Sequence, residues 1–172
     1  MIDKNSTKAE VLEAVKQYGF ALEYASAELK GDRDVVLAAL RQNGAALRFA
    51  SEELKANRGV VMEAVREWGC ALQYASEELK DDREFMLEAV TEDWLALQYA
   101  SAELRADKEI VLAAVKQIGY ALKYASDELK ADRDVVVAAV KQWGGCVGVC
   151  GWESNRGNGT MLGREYGTGV KK

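Results

Sequence analysis

Ala21-Leu-Glu-Tyr-Ala-Ser26 is written five times in this chain, returning as Ala-Leu-Arg-Phe-Ala-Ser at 46–51, Ala-Leu-Gln-Tyr-Ala-Ser at 71–76 and 96–101, and Ala-Leu-Lys-Tyr-Ala-Ser at 121–126. The spacing is 25 residues each time. A second shared block, Asp32-Arg-Asp-Val-Val-Leu-Ala-Ala-Leu-Arg-Gln-Asn-Gly44, alternates with the first and recurs from Asn57, Asp82, Asp107 and Asp132. Self-similarity at a fixed period marks a stacked array, in which each unit buries its apolar face against its neighbours.

In the second block the apolar residues Val36, Leu37, Ala39 and Leu40 fall at helical spacing, and Asp32 can accept a bond from the free amides of the first turn. Gly44 follows the last turn, and Gly19, Gly69, Gly119 and Gly144 hold the same place, which predicts a left-handed glycine at each helix end. Thr7 with Glu10 three residues on reads as a capping box, so the array starts at residue 7. After the glycine, Ala46, Leu47, Ala50 and Leu54 predict a second, shorter helix. The recurrent serine (26, 51, 76, 101, 126) either continues that helix or caps a separate turn; a break near the serine is the expectation. Recurrent residues of the Glu53 and Arg58 type predict a ladder of ion pairs between units. In the fourth unit Trp94 replaces the glycine, which predicts a local kink or a straighter connection there.

The fold class is therefore all-α: tandem 25-residue helix-turn-helix repeats stacked as an α-solenoid or compact helical array. Residues 1–6 are a lead-in, 7–144 the array with units starting near 7, 32, 57, 82, 107 and 132, and 145–172 a Gly-rich tail expected to be disordered. Read one base on, with suitable synonymous bases, the codons from Cys146 to Gly151 encode Ala-Leu-x-Tyr-Ala in the register the period demands, so a frameshift is the expected origin of the tail. The bases around codons 144–151 test this.

The net charge of −5 divides into +2 for residues 145–172 and −7 for residues 1–144, a poor match for a phosphate backbone, so no nucleic acid is expected as partner. No apolar run approaches the roughly 18 residues of a membrane span, and no secretory signal opens the chain, so a cytoplasmic protein without membrane contact is expected. Cys70, Cys146 and Cys150 give no disulfide framework and too few ligands for structural zinc, and no other metal or cofactor site is expected. With no histidine in the chain, the recurrent serines lack the usual activating base, and no enzymatic activity is expected.

Comparison of the copies within the chain separates framework positions from free ones. One polar position changes in every unit or nearly so: Glu23, Arg48, Gln73, Gln98 and Lys123. The positions flanking the glycine also change and include Trp68 and Tyr120, with Trp94 in the glycine's own place. Rows of this kind on a repeat surface commonly hold other chains, and aromatic and arginine side chains are typical anchors. These eight residues are the candidate partner-binding set. The unit from Asp107 to Lys130 resembles the short repeat of the family called domain of unknown function 4116, over roughly residues 7–145. That resemblance implies a multi-copy array and brings no catalytic residues with it. The expected function is a non-catalytic scaffold for a protein partner. The alternative is a structural or spacer segment of a longer array, whose uncapped apolar end at Val135 to Trp143 would self-associate.

Overall fold

A computed structural model describes residues 2–144. Each unit runs long helix, 3₁₀ helix, short helix. The first three are α1 (Lys8–Gln17), η1 (Gly19–Tyr24) and α2 (Ala27–Lys30), then α3 (Arg33–Gln42), η2 (Gly44–Phe49) and α4 (Glu52–Lys55), then α5 (Arg58–Glu67), η3 (Gly69–Tyr74) and α6 (Glu77–Asp81). The series continues through α7 (Arg83–Glu92), η4 (Trp94–Tyr99), α8 (Ala102–Arg105), α9 (Lys108–Gln117), η5 (Gly119–Tyr124) and α10 (Asp127–Ala131) to α11 (Arg133–Gly144). No strand occurs among the described residues, and none of their helices is long and apolar enough to cross a membrane. The expectations for the tail, Cys146 and Cys150 included, lie outside the described residues.

The long helices begin where the sequence supplies a cap. Thr7 and Glu10 close a capping box, and Asp32, Asn57, Asp82 and Asp107 accept amide hydrogens of the first turn. The break near the serine stands where it was expected, while the second helix differs from the expectation in its winding. It is a six-residue 3₁₀ helix, and the chain breaks before a separate short turn whose N-cap is the serine: Ser51 Oγ accepts from the Leu54 amide at 3.4 Å, and Ser26, Ser76, Ser101 and Ser126 repeat the bond. The 3₁₀ winding brings every third side chain onto one face. Gly44, Leu47 and Ala50 share the inner face and are buried.

Neighbouring units stack helix on like helix: α1, α3, α5, α7, α9 and α11 form one layer, and η1 to η5 a second, with each 3₁₀ helix lodged between its own long helix and the next. The continuous core between these layers includes Leu22, Leu47, Leu72 and Leu97 from the 3₁₀ row and Val36, Val61, Met86 and Val111 from the long-helix row, all fully buried. Main-chain bonds tie unit to unit. The Ser51 amide donates to the Lys30 carbonyl at 2.9 Å, and Ser76 to Lys55, Ser101 to Lys80 and Ser126 to Arg105 repeat the rung.

Three further expectations are corrected. None of Gly19, Gly44 and Gly69 has a left-handed φ; the residues before them are extended, and the glycines serve close approach instead. A Cβ on Gly44 would lie 2.5 Å from the Ala64 carbonyl oxygen of the next long helix, and one on Gly19 2.7 Å from that of Ala39. Trp94 introduces no kink: η4 begins at it as the others begin at glycine, after an extended Asp93. The glutamine beside this position is placed differently in the first and fourth units. Gln42 accepts from the Gly19 amide at 2.9 Å, whereas the corresponding Gln117 turns to donate to the Val90 carbonyl and, at 3.0 Å, to that of Thr91. Finally, the ion-pair ladder leaves Glu53 out. It joins the first residue of a long helix to the N-cap carboxylate of the next: Lys8 to Asp32 at 2.6 Å, Arg58 to Asp82 at 2.8 Å, Arg83 to Asp107 at 2.8 Å and Lys108 to Asp132 at 2.9 Å. In the third unit Asn57 replaces that aspartate, and Arg33 forms no ion pair among the described residues.

Candidate interaction surface

On a 3₁₀ helix, residues three apart lie one above the other. The changing polar residue and the residue after the glycine are three apart, so they stack into one outward column in each unit: Phe20 with Glu23, Cys70 with Gln73, Leu95 with Gln98 and Tyr120 with Lys123, while in the second unit the small Ala45 beneath Arg48 is buried. Glu23, Arg48, Gln73, Gln98 and Lys123 are all exposed. Because η1 to η5 pack side by side, these columns stand next to one another along one edge of the array.

Five of the eight sequence-derived candidates gather into two groups. In the first, Trp94 is half-buried and meets the ring of Tyr120 edge-on at 6.2 Å between centroids and that of Tyr124 at 6.3 Å. Lys123 lies over both tyrosines, 4.3 and 4.5 Å from their centroids, and donates to the Tyr120 hydroxyl at 2.8 Å. The hydrogen bond to Tyr120, then the contact with Tyr124, raises the Lys123 pKa above its ordinary value. The cation is thereby held in place on an aromatic bed. Tyr120 keeps 49% of its surface exposed.

The second group lies at the other end. Tyr18 packs edge-on against Phe20, and Phe20 against Phe49 at 6.0 Å, with the Arg48 guanidinium 4.8 Å from the Phe49 centroid. One unit further, Trp68 stands 39% exposed. Between them the second unit carries only Asn43 and Ala45, where the first has Tyr18 and Phe20. The missing bulk opens a notch of about 420 Å³ whose lining includes Phe20, Gln42, Asn43, Ala45, Glu67 and Trp68. Phe20 and the notch were not among the sequence candidates. The alternation of large, small and large side chains at one repeat position was the signal that could have found them. Glu23, Gln73 and Gln98 are exposed but belong to neither group; Gln73 donates to the Cys70 carbonyl at 3.1 Å.

No buried polar or charged side chain occurs among the described residues. The carboxylates whose pKa is displaced are surface partners of the ladder and the first cap: the hydrogen bond from Lys8 leads in lowering Asp32, that from Lys108 in lowering Asp132. One phenol stands apart. Burial, then the contact with Cys70, pushes Tyr99 up to about 12.

The family described as domain of unknown function (DUF4116) matches residues 11–55, 57–105 and 107–147. The chain belongs to that family. Each of these DUF4116 matches takes in about two of the 25-residue units, and together they span both groups of candidate residues. No curated protein and no solved structure matches the chain.

Proposed function

We propose that this chain is a non-catalytic scaffold that holds a protein partner along the edge formed by η1 to η5. The observation that carries this reading is the repeated column: a fixed inner face of Leu and Ala, and an outer face that changes from Glu23 to Arg48, Gln73, Gln98 and Lys123. A constant frame with changing exposed side chains is what a recognition surface requires. Exposed Tyr18, Trp68 and Tyr120 supply large side chains of the kind that anchor partners. The charge of −7 on residues 1–144 favours a protein over nucleic acid or an anionic membrane. The thiol of Cys70, half-buried and unpaired among the described residues, fits a reducing compartment such as the cytoplasm.

The test is capture from a native lysate by the full chain, beside a variant carrying Arg48→Ala, Gln73→Ala, Gln98→Ala and Lys123→Ala, once circular dichroism shows equal helicity. A partner enriched by the parent and lost by the variant supports the scaffold and locates its face. A partner kept by the variant moves the contact elsewhere.

A second reading, a spacer within a longer array, has its own observation. Val140 is 59% exposed, whereas its counterparts Val15, Leu40, Val65, Val90 and Val115 are fully buried. This open face of α11 is suited to a further unit or to self-association. Absence of any captured partner, together with a mass that rises with concentration in light scattering, would favour it.

A further inference from the structure

We propose that the notch between Phe20 and Trp68 receives an arginine side chain of the partner protein. The inference rests on the scaffold reading and names the chemistry of one of its contacts. The lining includes an aromatic side chain from unit one, Phe20, and one from unit three, Trp68, and the one formally charged side chain lining the space is the carboxylate of Glu67. Its neighbour Arg66 is engaged with Glu63 at 3.6 Å and with Glu92 at 3.3 Å; Glu67 itself forms no ion pair among the described residues. An aromatic slot with one such carboxylate selects a cation that can lie flat against a ring and donate from its edge. Guanidinium does both, whereas an ammonium keeps more of its water.

The same edge already displays this pairing with its own side chains. Arg48 lies on Phe49, and Lys123 on Tyr120 and Tyr124. At the notch the rings and the carboxylate are present, and the cation is left to come from outside. Arg41 is the counterpart of Arg66 one unit earlier and is the nearest competitor for Glu67 in the pattern Arg66 sets with Glu92, yet the two form no ion pair among the described residues. The notch volume of about 420 Å³ exceeds that of a single side chain and leaves room for the adjoining main chain of a partner.

The experiment titrates the full chain with arginine amide, lysine amide and uncharged citrulline amide at matched ionic strength, following the Trp68 indole N–H by NMR. That signal is assigned by its loss in Trp68→Phe. The expected result is a saturable shift with arginine amide, a smaller one with lysine amide and none with citrulline amide. Glu67→Gln weakens the arginine response by on the order of tenfold, the loss of one charge-assisted contact, and Arg41→Ala strengthens it. Equal shifts with all three amides, or an affinity untouched by Glu67→Gln, overturns the proposal. The two readings fail separately: a partner captured by the parent and lost by the four-site variant, with no arginine response at Trp68, leaves the scaffold standing and removes the notch. An arginine response without any captured partner does the reverse.

Discussion

A methyl group on Gly44 would stand 2.5 Å from the Ala64 carbonyl oxygen, so Gly44→Ala must move η2 away from α5. We expect a loss of about 1–3 kcal/mol, read as a lower denaturation midpoint at unchanged slope. Gly31→Ala is the contrast. Its nearest contact would be an ordinary 3.4 Å, its φ is −95°, and Ala56, Ala106 and Ala131 stand at the same place in units two, four and five. There the shorter list of unfolded conformations should stabilise the chain by about 0.4–1 kcal/mol. Tyr99 supplies a second expectation. Its pKa is raised to about 12, so the fold favours the neutral phenol, and that contribution is present below the ordinary value of 10.0 and lost as pH rises through about 12. Absorbance titration should show one tyrosine ionising late, and Cys70→Ala should bring it earlier. At this scale the sequence marked the glycine column but misassigned its cause. A letter G is the same whether the residue is needed for a left-handed φ or for the absence of a Cβ. Trp94 held the clue, since a bulky side chain tolerates an extended preceding residue far better than it tolerates left-handed backbone.

Helix ends were the most legible elements, because a cap is a local event: one oxygen, two or three residues from the amides it serves. Ser76→Ala should cost about 1 kcal/mol in thermal or urea unfolding, while the rung from its amide to the Lys55 carbonyl survives because alanine keeps the N–H. Asp32 and Asp132 act at the same level. Their pKa values are lowered by Lys8 and Lys108, so their contribution is present above the ordinary 3.8 and is lost as pH falls through the lowered values. Acid unfolding of the Asp32→Asn variant should therefore show a smaller drop in stability below about pH 4 than the parent, and added salt should shrink the difference. The 3₁₀ helices were not legible. In six residues the spacing of Gly44 and Leu47 suits either winding, and what selects the tighter one is the close seat between α3 and α5, which only the stacked array provides.

At the scale of the molecule the two ends of the array differ. Val35, Val60, Phe85, Ile110 and Val135 are fully buried, and the Arg58 guanidinium of the preceding unit lies 5.4 Å from the Phe85 ring. The first unit replaces this residue with Glu10, which folds back onto Thr7. At the other end Val140 lies open. Val65→Ala should thus cost about 2 kcal/mol while Val140→Ala changes the unfolding midpoint little, a contrast invisible in two identical letters. Stacking and period were plain from the sequence alone, whereas the notch was not, since it depends on how side chains of three different units line up in space. The rungs from Ser51, Ser76, Ser101 and Ser126 carry one more consequence. They join main-chain atoms only, so every amino acid except proline can supply them, and the chain contains no proline. The outward side chains can consequently drift through generations of mutation without resetting the distance from one unit to the next: the ruler is kept by the backbone, and only the marks on it are rewritten.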